Sequence, residues 1–168
     1  MAADKILIAD DNAPNVELLE AYLNDVPCET AVAIDGHDTL EKVASFKPDL
    51  ILLDIMMPKL SGFEVCKTLK KNPATSHIMI LMVTALGEPG DIERAVACGC
   101  DDFLSKPIDK IALLKRVEIL LKLRHVTDEL ERLRRYIDDM EDRDNTIEPD
   151  DTDEPKNGED PGDTKDRL

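Results

Sequence analysis

Leu50-Ile51-Leu52-Leu53-Asp54-Ile55-Met56-Met57-Pro58 (residues 50–58) sets four consecutive large apolar residues directly before an aspartate. A strand with one solvated face alternates apolar and polar side chains. An unbroken apolar run this short suits a strand covered on both faces, as in a parallel sheet between layers of helices. Working outward, Lys5–Ala9, Cys28–Ala33, Ile78–Val83 and Phe103–Leu104 read as further strands, separated by segments whose apolar residues recur at helical spacing. Strands and helices alternating in this way form βαβ units. The predicted fold is a doubly wound, five-stranded parallel α/β sandwich.

Local signals punctuate the pattern. Asn12 or Ala13 precedes Pro14, a favoured first-turn residue, and Ser61 precedes a helix over Gly62–Lys71. Pro48, Pro58, Pro73, Pro89 and Pro107 fall between elements. The last helix is predicted to start near Asp109 and to run to about Arg143. Along it Ile119, Leu123, Val126, Leu130, Leu133, Ile137 and Met140 recur at spacings of four and three, a heptad seam. At 1.5 Å per residue its final twenty residues would reach about 30 Å beyond the domain. With Leu123, Leu130 and Ile137 at a positions, Glu129 at g would face Arg134 at e of a parallel partner. The expectation is a dimeric coiled coil; the alternative is a single amphipathic helix. The chain thus divides into a domain over residues 1–124, a helical extension over 125–144 and a tail over 145–168.

The net charge is −16, and the tail carries nine acidic against three basic side chains, so the rest is strongly acidic too. Such a field repels nucleic-acid backbones, whose binding relies on Lys and Arg displacing counterions, and anionic membrane surfaces likewise. No apolar run approaches the roughly 20 residues of a membrane span, and the opening Met1-Ala2-Ala3-Asp4-Lys5 lacks a secretory layout. A cytoplasmic location is expected. Cys28, Cys66, Cys98 and Cys100 have no CxxC spacing, and His37, His77 and His125 are scattered. They read as ordinary residues of a reducing compartment rather than as a zinc site. The tail, poor in large apolar groups, is expected to be disordered.

Ligands of an open α/β sheet bind beyond the carboxyl ends of its strands. Asp10 and Asp11 end the first strand and Asp54 the third. Taken singly, Asp11 or Asn12 also suits a helix cap, and Asp54 a loop opening. Converging, they suit Mg2+, which takes hard oxygen ligands and relieves the repulsion of crowded carboxylates. A carboxylate beside such a cation can act as a nucleophile towards phosphorus. Thr84 and Lys106 follow the fourth and fifth strands and offer a hydroxyl and an ammonium to phosphoryl oxygens. Alone, each also reads as an ordinary strand-end hydroxyl or a solvated charge.

The order Asp10-Asp11, Asp54, Thr84, Lys106-Pro107 resembles the signature of response-regulator receivers. Leu53-Asp54-Ile55-Met56-Met57-Pro58-Lys59-Leu60-Ser61-Gly62 is similar to that family's LLDxxMPxxxG segment, and Asp101-Asp102-Phe103-Leu104-Ser105-Lys106-Pro107 is also typical. The likeness covers about residues 4–123. It implies a flavodoxin-like fold with strand order 2-1-3-4-5, here with an extended C-terminal helix. It implies Asp54 as phosphoacceptor, Asp10, Asp11, Asp54 and the Met56 carbonyl as Mg2+ ligands, and Thr84 and Lys106 as groups that bind the phosphoryl oxygens. It further implies Thr84 and Phe103 as the switch pair and a cis Lys106–Pro107 bond. Phe103 alone would also read as a core phenylalanine. In this family the residues two after the phosphoacceptor and two after the Thr influence dephosphorylation. Here they are Met56 and Leu86, which cannot orient water strongly, so slow self-hydrolysis is expected.

The function so implied is a phosphorelay switch rather than an enzyme with turnover. Its phosphoryl donor would be a sensor histidine kinase or histidine phosphotransfer protein, and it would act on a downstream protein target without a DNA-binding output domain. The alternatives are a receiver fragment controlling a separate output enzyme through its coiled coil, and a phosphate-independent scaffold. An Asp-nucleophile phosphohydrolase is disfavoured, because its DxD motif is absent around Asp10.

Overall fold

The computed structural model describes residues 2–85 and 89–144. Leu86 and the acidic tail over 145–168 lie outside the described residues. The elements run β1 (Asp4–Ala9), α1 (Ala13–Leu23), β2 (Cys28–Ala33), α2 (Gly36–Phe46), β3 (Leu50–Leu53), α3 (Gly62–Lys71), β4 (Met79–Thr84), α4 (Pro89–Ala97), β5 (Asp102–Ser105) and α5 (Lys110–Asp144). The strands form one sheet in the order β2-β1-β3-β4-β5, with every neighbouring pair parallel. The predicted doubly wound topology is the one observed.

Side chains alternate across the sheet and feed two cores. Leu7, Ile51, Leu53, Ile80 and Met82 meet Val43, Phe63, Val65, Leu69 and Ala95 from α2, α3 and α4. Ile6, Ile8, Leu50, Leu52, Leu81 and Val83 meet Leu19 and Leu23 of α1 and Leu113, Val117, Leu120 and Leu121 of α5. All four residues of β3 are buried, which is why its sequence shows no polar alternation.

The helix signals work as read. Asn12 caps α1 by accepting the Asn15 N–H at 3.1 Å, with Pro14 in the first turn. Ser61 and Glu64 form a reciprocal capping box on α3. Asp109 accepts the Ala112 N–H at 2.9 Å at the start of α5. Three strands differ slightly in their limits from the reading. β1 begins one residue earlier, at Asp4, paired with Cys28. β4 begins at Met79, paired with Leu50, because the Ile78 N–H is already spent on the Thr75 carbonyl; it extends to Thr84, paired with Ser105. β5 gains Asp102 and Ser105 by the same pairing with β4.

Residues up to Arg132 form one compact unit that holds the sheet and its covering helices. Here Ile119, Leu123, Val126 and Leu130 of α5 stand about half exposed. From Leu133 the chain belongs to a second unit, helical as far as Asp144, with Leu133, Ile137 and Met140 similarly exposed. Among the described residues no helix is long and apolar enough to cross a membrane.

Candidate functional site

Because β1, β3, β4 and β5 are adjacent and parallel, the residues following them arrive at one edge of the sheet. Ala9 pairs with Leu53, so Asp10 and Asp54 emerge side by side. Thr84 pairs with Ser105, which sets Lys106 next to it. One carboxylate oxygen each from Asp10, Asp11 and Asp54 lies within 4.8 Å of the others. Asp10, Asp54 and Thr84 are buried, whereas Asp11 is exposed. Lys106 Nζ reaches across to Asp10 Oδ2 at 3.3 Å and to Asp54 Oδ2 at 3.4 Å. The structure therefore brings together all five polar side chains that the sequence singled out.

The backbone completes the arrangement. The Met56 N–H donates to Asp54 Oδ1 at 3.3 Å, and the Asn12 N–H donates to Asp10 Oδ1 at 2.9 Å. The Met56 side chain is 74% exposed, so this residue meets the site through its main chain. The Lys106–Pro107 peptide is cis. Phe103 pairs with Met82 on β4 and is partly buried against the core on the α2–α4 side.

Burial pushes the Asp54 carboxyl above its ordinary range. The Lys106 ammonium opposes that rise, the Asp10 carboxylate adds to it, and hydrogen bonds from the Met56 N–H and the Thr84 hydroxyl oppose it. A single lysine shared by two buried carboxylates leaves negative charge in excess, with Asp11 at the rim. Three hard oxygen donors in this geometry fit a small divalent cation, and the exposure of Asp11 gives that cation an open side.

Sequence reading missed the packing that holds the loop after Asp54. A Cβ on Gly62 would stand 2.3 Å from the Asp54 carbonyl oxygen, and one on Gly36 would stand 2.3 Å from the Leu60 carbonyl oxygen. The loop is thus clasped between α3 and the β2–α2 turn. Only Gly62 carried a prior signal, through its place in the quoted motif. Gly36 and the neighbouring Asp35–Lys59 ion pair, at 3.3 Å, had none.

Comparison with known proteins bears on this geometry directly. Residues 6–118 match the family described as the response regulator receiver domain. Response regulator PleD of Caulobacter vibrioides is 45% identical over 126 residues, which make up 75% of this chain but 28% of PleD. The chain thus spans little more than a quarter of that relative's length. The receiver domain of a signal transduction histidine kinase from Syntrophus aciditrophicus is 32% identical with a TM-score of 0.68, covering 71% of this chain and 91% of that one. The receiver domain of a sensor histidine kinase from Pseudomonas aeruginosa is 25% identical with a TM-score of 0.66, covering 72% and 99%. That structure carries a magnesium ion in its active-site cleft.

Proposed function

Since this chain belongs to the response regulator receiver domain family, we propose that it is the phosphoacceptor switch of a two-component phosphorelay, with Asp54 receiving the phosphoryl group. The observation that carries the reading is the meeting of Asp10, Asp11, Asp54, Thr84 and Lys106 at the carboxyl ends of four neighbouring strands.

Each residue has a role there. Asp10, Asp11, Asp54 and the Met56 carbonyl would hold Mg2+, in keeping with the magnesium in the Pseudomonas receiver. When bound, the ion neutralises charge on the transferring phosphoryl oxygens. An Asp54 oxygen attacks phosphorus, the P–N bond to the donor's phosphohistidine breaks, and the imidazole leaves. Lys106 and the Thr84 hydroxyl bind phosphoryl oxygens that Asp54 has brought within their reach. Thr84 is drawn towards the new group and Phe103, on the neighbouring strand β5, follows inward. Two conformations thereby differ in population with phosphorylation. One phosphate per chain, without turnover of a small ester, makes this a switch rather than an enzyme.

The donor is a sensor histidine kinase or histidine phosphotransfer protein, and the output is a contact with a downstream protein in the cytoplasm. The acidic charge argues against nucleic acid as the direct target and against membrane surfaces. The seam from Ile119 to Met140, with its a and d positions about half exposed, supports a parallel homodimer whose geometry responds to phosphorylation. PleD extends well beyond the matched region, which leaves room for a second reading, a receiver fragment that controls a separate output enzyme through its coiled coil. Intact-mass measurement after incubation with Mg2+ and acetyl phosphate tests the central reading. A single phosphate adduct on wild type and none on Asp54→Ala is the expected result; an equal adduct on Asp54→Ala refutes the assignment of Asp54.

A further inference from the structure

The β2–α2 turn and the β3–α3 loop are joined by a contact that the roles above leave unused. Asp35 Oδ1 accepts the Asp38 N–H at 2.7 Å and caps α2, while Oδ2 lies 3.3 Å from Lys59 Nζ. The Asp35 side chain is 10% exposed, so Lys59 supplies a counter-charge to a carboxylate with little access to water. The Asp38 N–H first, then Lys59, hold this carboxyl below its ordinary range against the effect of burial. Beside the pair, Leu60 is pressed onto Gly36 so closely that a Cβ there would sit 2.4 Å from the Leu60 Cβ. Lys59 itself has φ +69°, a left-handed conformation that a Cβ disfavours.

The segment held in this way is the one that follows Asp54. Its internal hydrogen bonds, Met57 N–H to the Ile55 carbonyl at 3.1 Å and Gly62 N–H to the same carbonyl at 2.9 Å, close it into a compact loop. A loop tied only to itself can still shift as a unit relative to the strand ends. Met57, Ile55 and Leu60 pack it against the core, and the Asp35–Lys59 pair and the Gly36–Leu60 contact tie it to the β2–α2 turn.

We propose that Asp35 and Lys59 are positioning residues for the phosphoacceptor loop, holding the Met56 carbonyl where it shares a cation with Asp10, Asp11 and Asp54. This rests on the reading of Asp54 and Met56 given above. Without the lysine, Asp35 Oδ2 loses the cation that ties it to the loop, and turn and loop can part and admit water. That movement takes Met56 with it. The effect has a sign that a simple charge effect lacks: removing a cation near a carboxylate cluster would by itself tighten Mg2+, whereas losing the brace loosens it.

Titration calorimetry of Mg2+ into the whole 168-residue chain, with amide NMR shifts of residues 55–57, tests this. Lys59→Gly accepts φ +69° without strain, which offsets the lost ion pair, so its melting temperature stays close to that of wild type while Mg2+ binds about threefold more weakly, the scale of a partly exposed ion pair. Asp35→Asn keeps an N-cap side chain and weakens binding similarly. The double variant is no weaker than either single one, and Lys59→Arg binds like wild type. Mg2+ affinity in Lys59→Gly equal to or above wild type, with Ile55–Met57 amides unmoved, overturns the brace alone. Absence of Mg2+ binding by wild type overturns the functional reading together with it.

Discussion

Replacing Lys106 with methionine removes the cation that lies between two buried carboxylates, and the structure gives the scale of the consequence. Each attraction, at 3.3 and 3.4 Å, is about 5 kcal/mol gross at an effective dielectric near 20. Much of that is offset by desolvation of the three groups, and removing one partner of a buried pair leaves a net loss of roughly 3–5 kcal/mol. The Lys106 side chain keeps 20% exposure, which places the expected loss at the low end, about 3 kcal/mol. For a domain of this size that lowers the melting temperature by roughly 12 °C. The loss also depends on pH. Lys106 opposes the rise of the Asp54 carboxyl, so without it that carboxyl moves further up. The native state then binds more protons than the unfolded chain in the mildly acidic range, so the deficit is larger at neutral pH and shrinks as pH is lowered into that range. Mg2+ replaces the missing charge, so saturating Mg2+ restores more stability to Lys106→Met than it adds to wild type. Urea unfolding followed by circular dichroism, in chelator and in Mg2+ at neutral and mildly acidic pH, measures all three effects. Equal stability of the two proteins in chelator, or an equal gain from Mg2+, refutes the account of Lys106 as the cation that balances this site.

Asp54→Asn is expected to raise the stability of the metal-free protein at neutral pH, because a carboxyl held above its ordinary range opposes folding when charged; the gain fades as pH falls through the carboxylate range, and thermal melts across pH check it. Gly36→Ala forces a Cβ into the Leu60 backbone and should cost about 1–3 kcal/mol in a urea titration while slowing phosphorylation by acetyl phosphate. Leu130→Glu places a charge at a half-exposed a position and should convert a dimer to monomer in light scattering, with the receiver unit's fold unchanged by circular dichroism. Met56→Asn combined with Leu86→Glu should speed loss of the phosphate adduct in a mass-spectrometric decay series, since both new side chains can hydrogen-bond an attacking water; an unchanged decay rate removes side-chain shielding as the explanation of phosphate lifetime.

The primary structure by itself determined the fold, because the signals were local and mutually consistent. Apolar runs such as Leu50–Leu53 have no face to spare for water, and Asn12, Ser61 and Asp109 mark helix starts through side-chain oxygens that accept nearby N–H groups. It also determined the membership of the acidic site, since strand-end residues of a parallel sheet must converge and Asp10, Asp54, Thr84 and Lys106 each end a recognisable strand. What it did not contain was contact between loops. Asp35 and Lys59 lie 24 positions apart in polar segments with no periodicity, and neither residue type announces a partner. Their meeting follows from sheet order, which carries the ends of β2 and β3 to opposite sides of β1 and turns the loops beyond them towards each other. The rise in the Asp54 carboxyl is likewise a tertiary property, because burial and the neighbouring charges of Lys106 and Asp10 exist only once the strands are assembled.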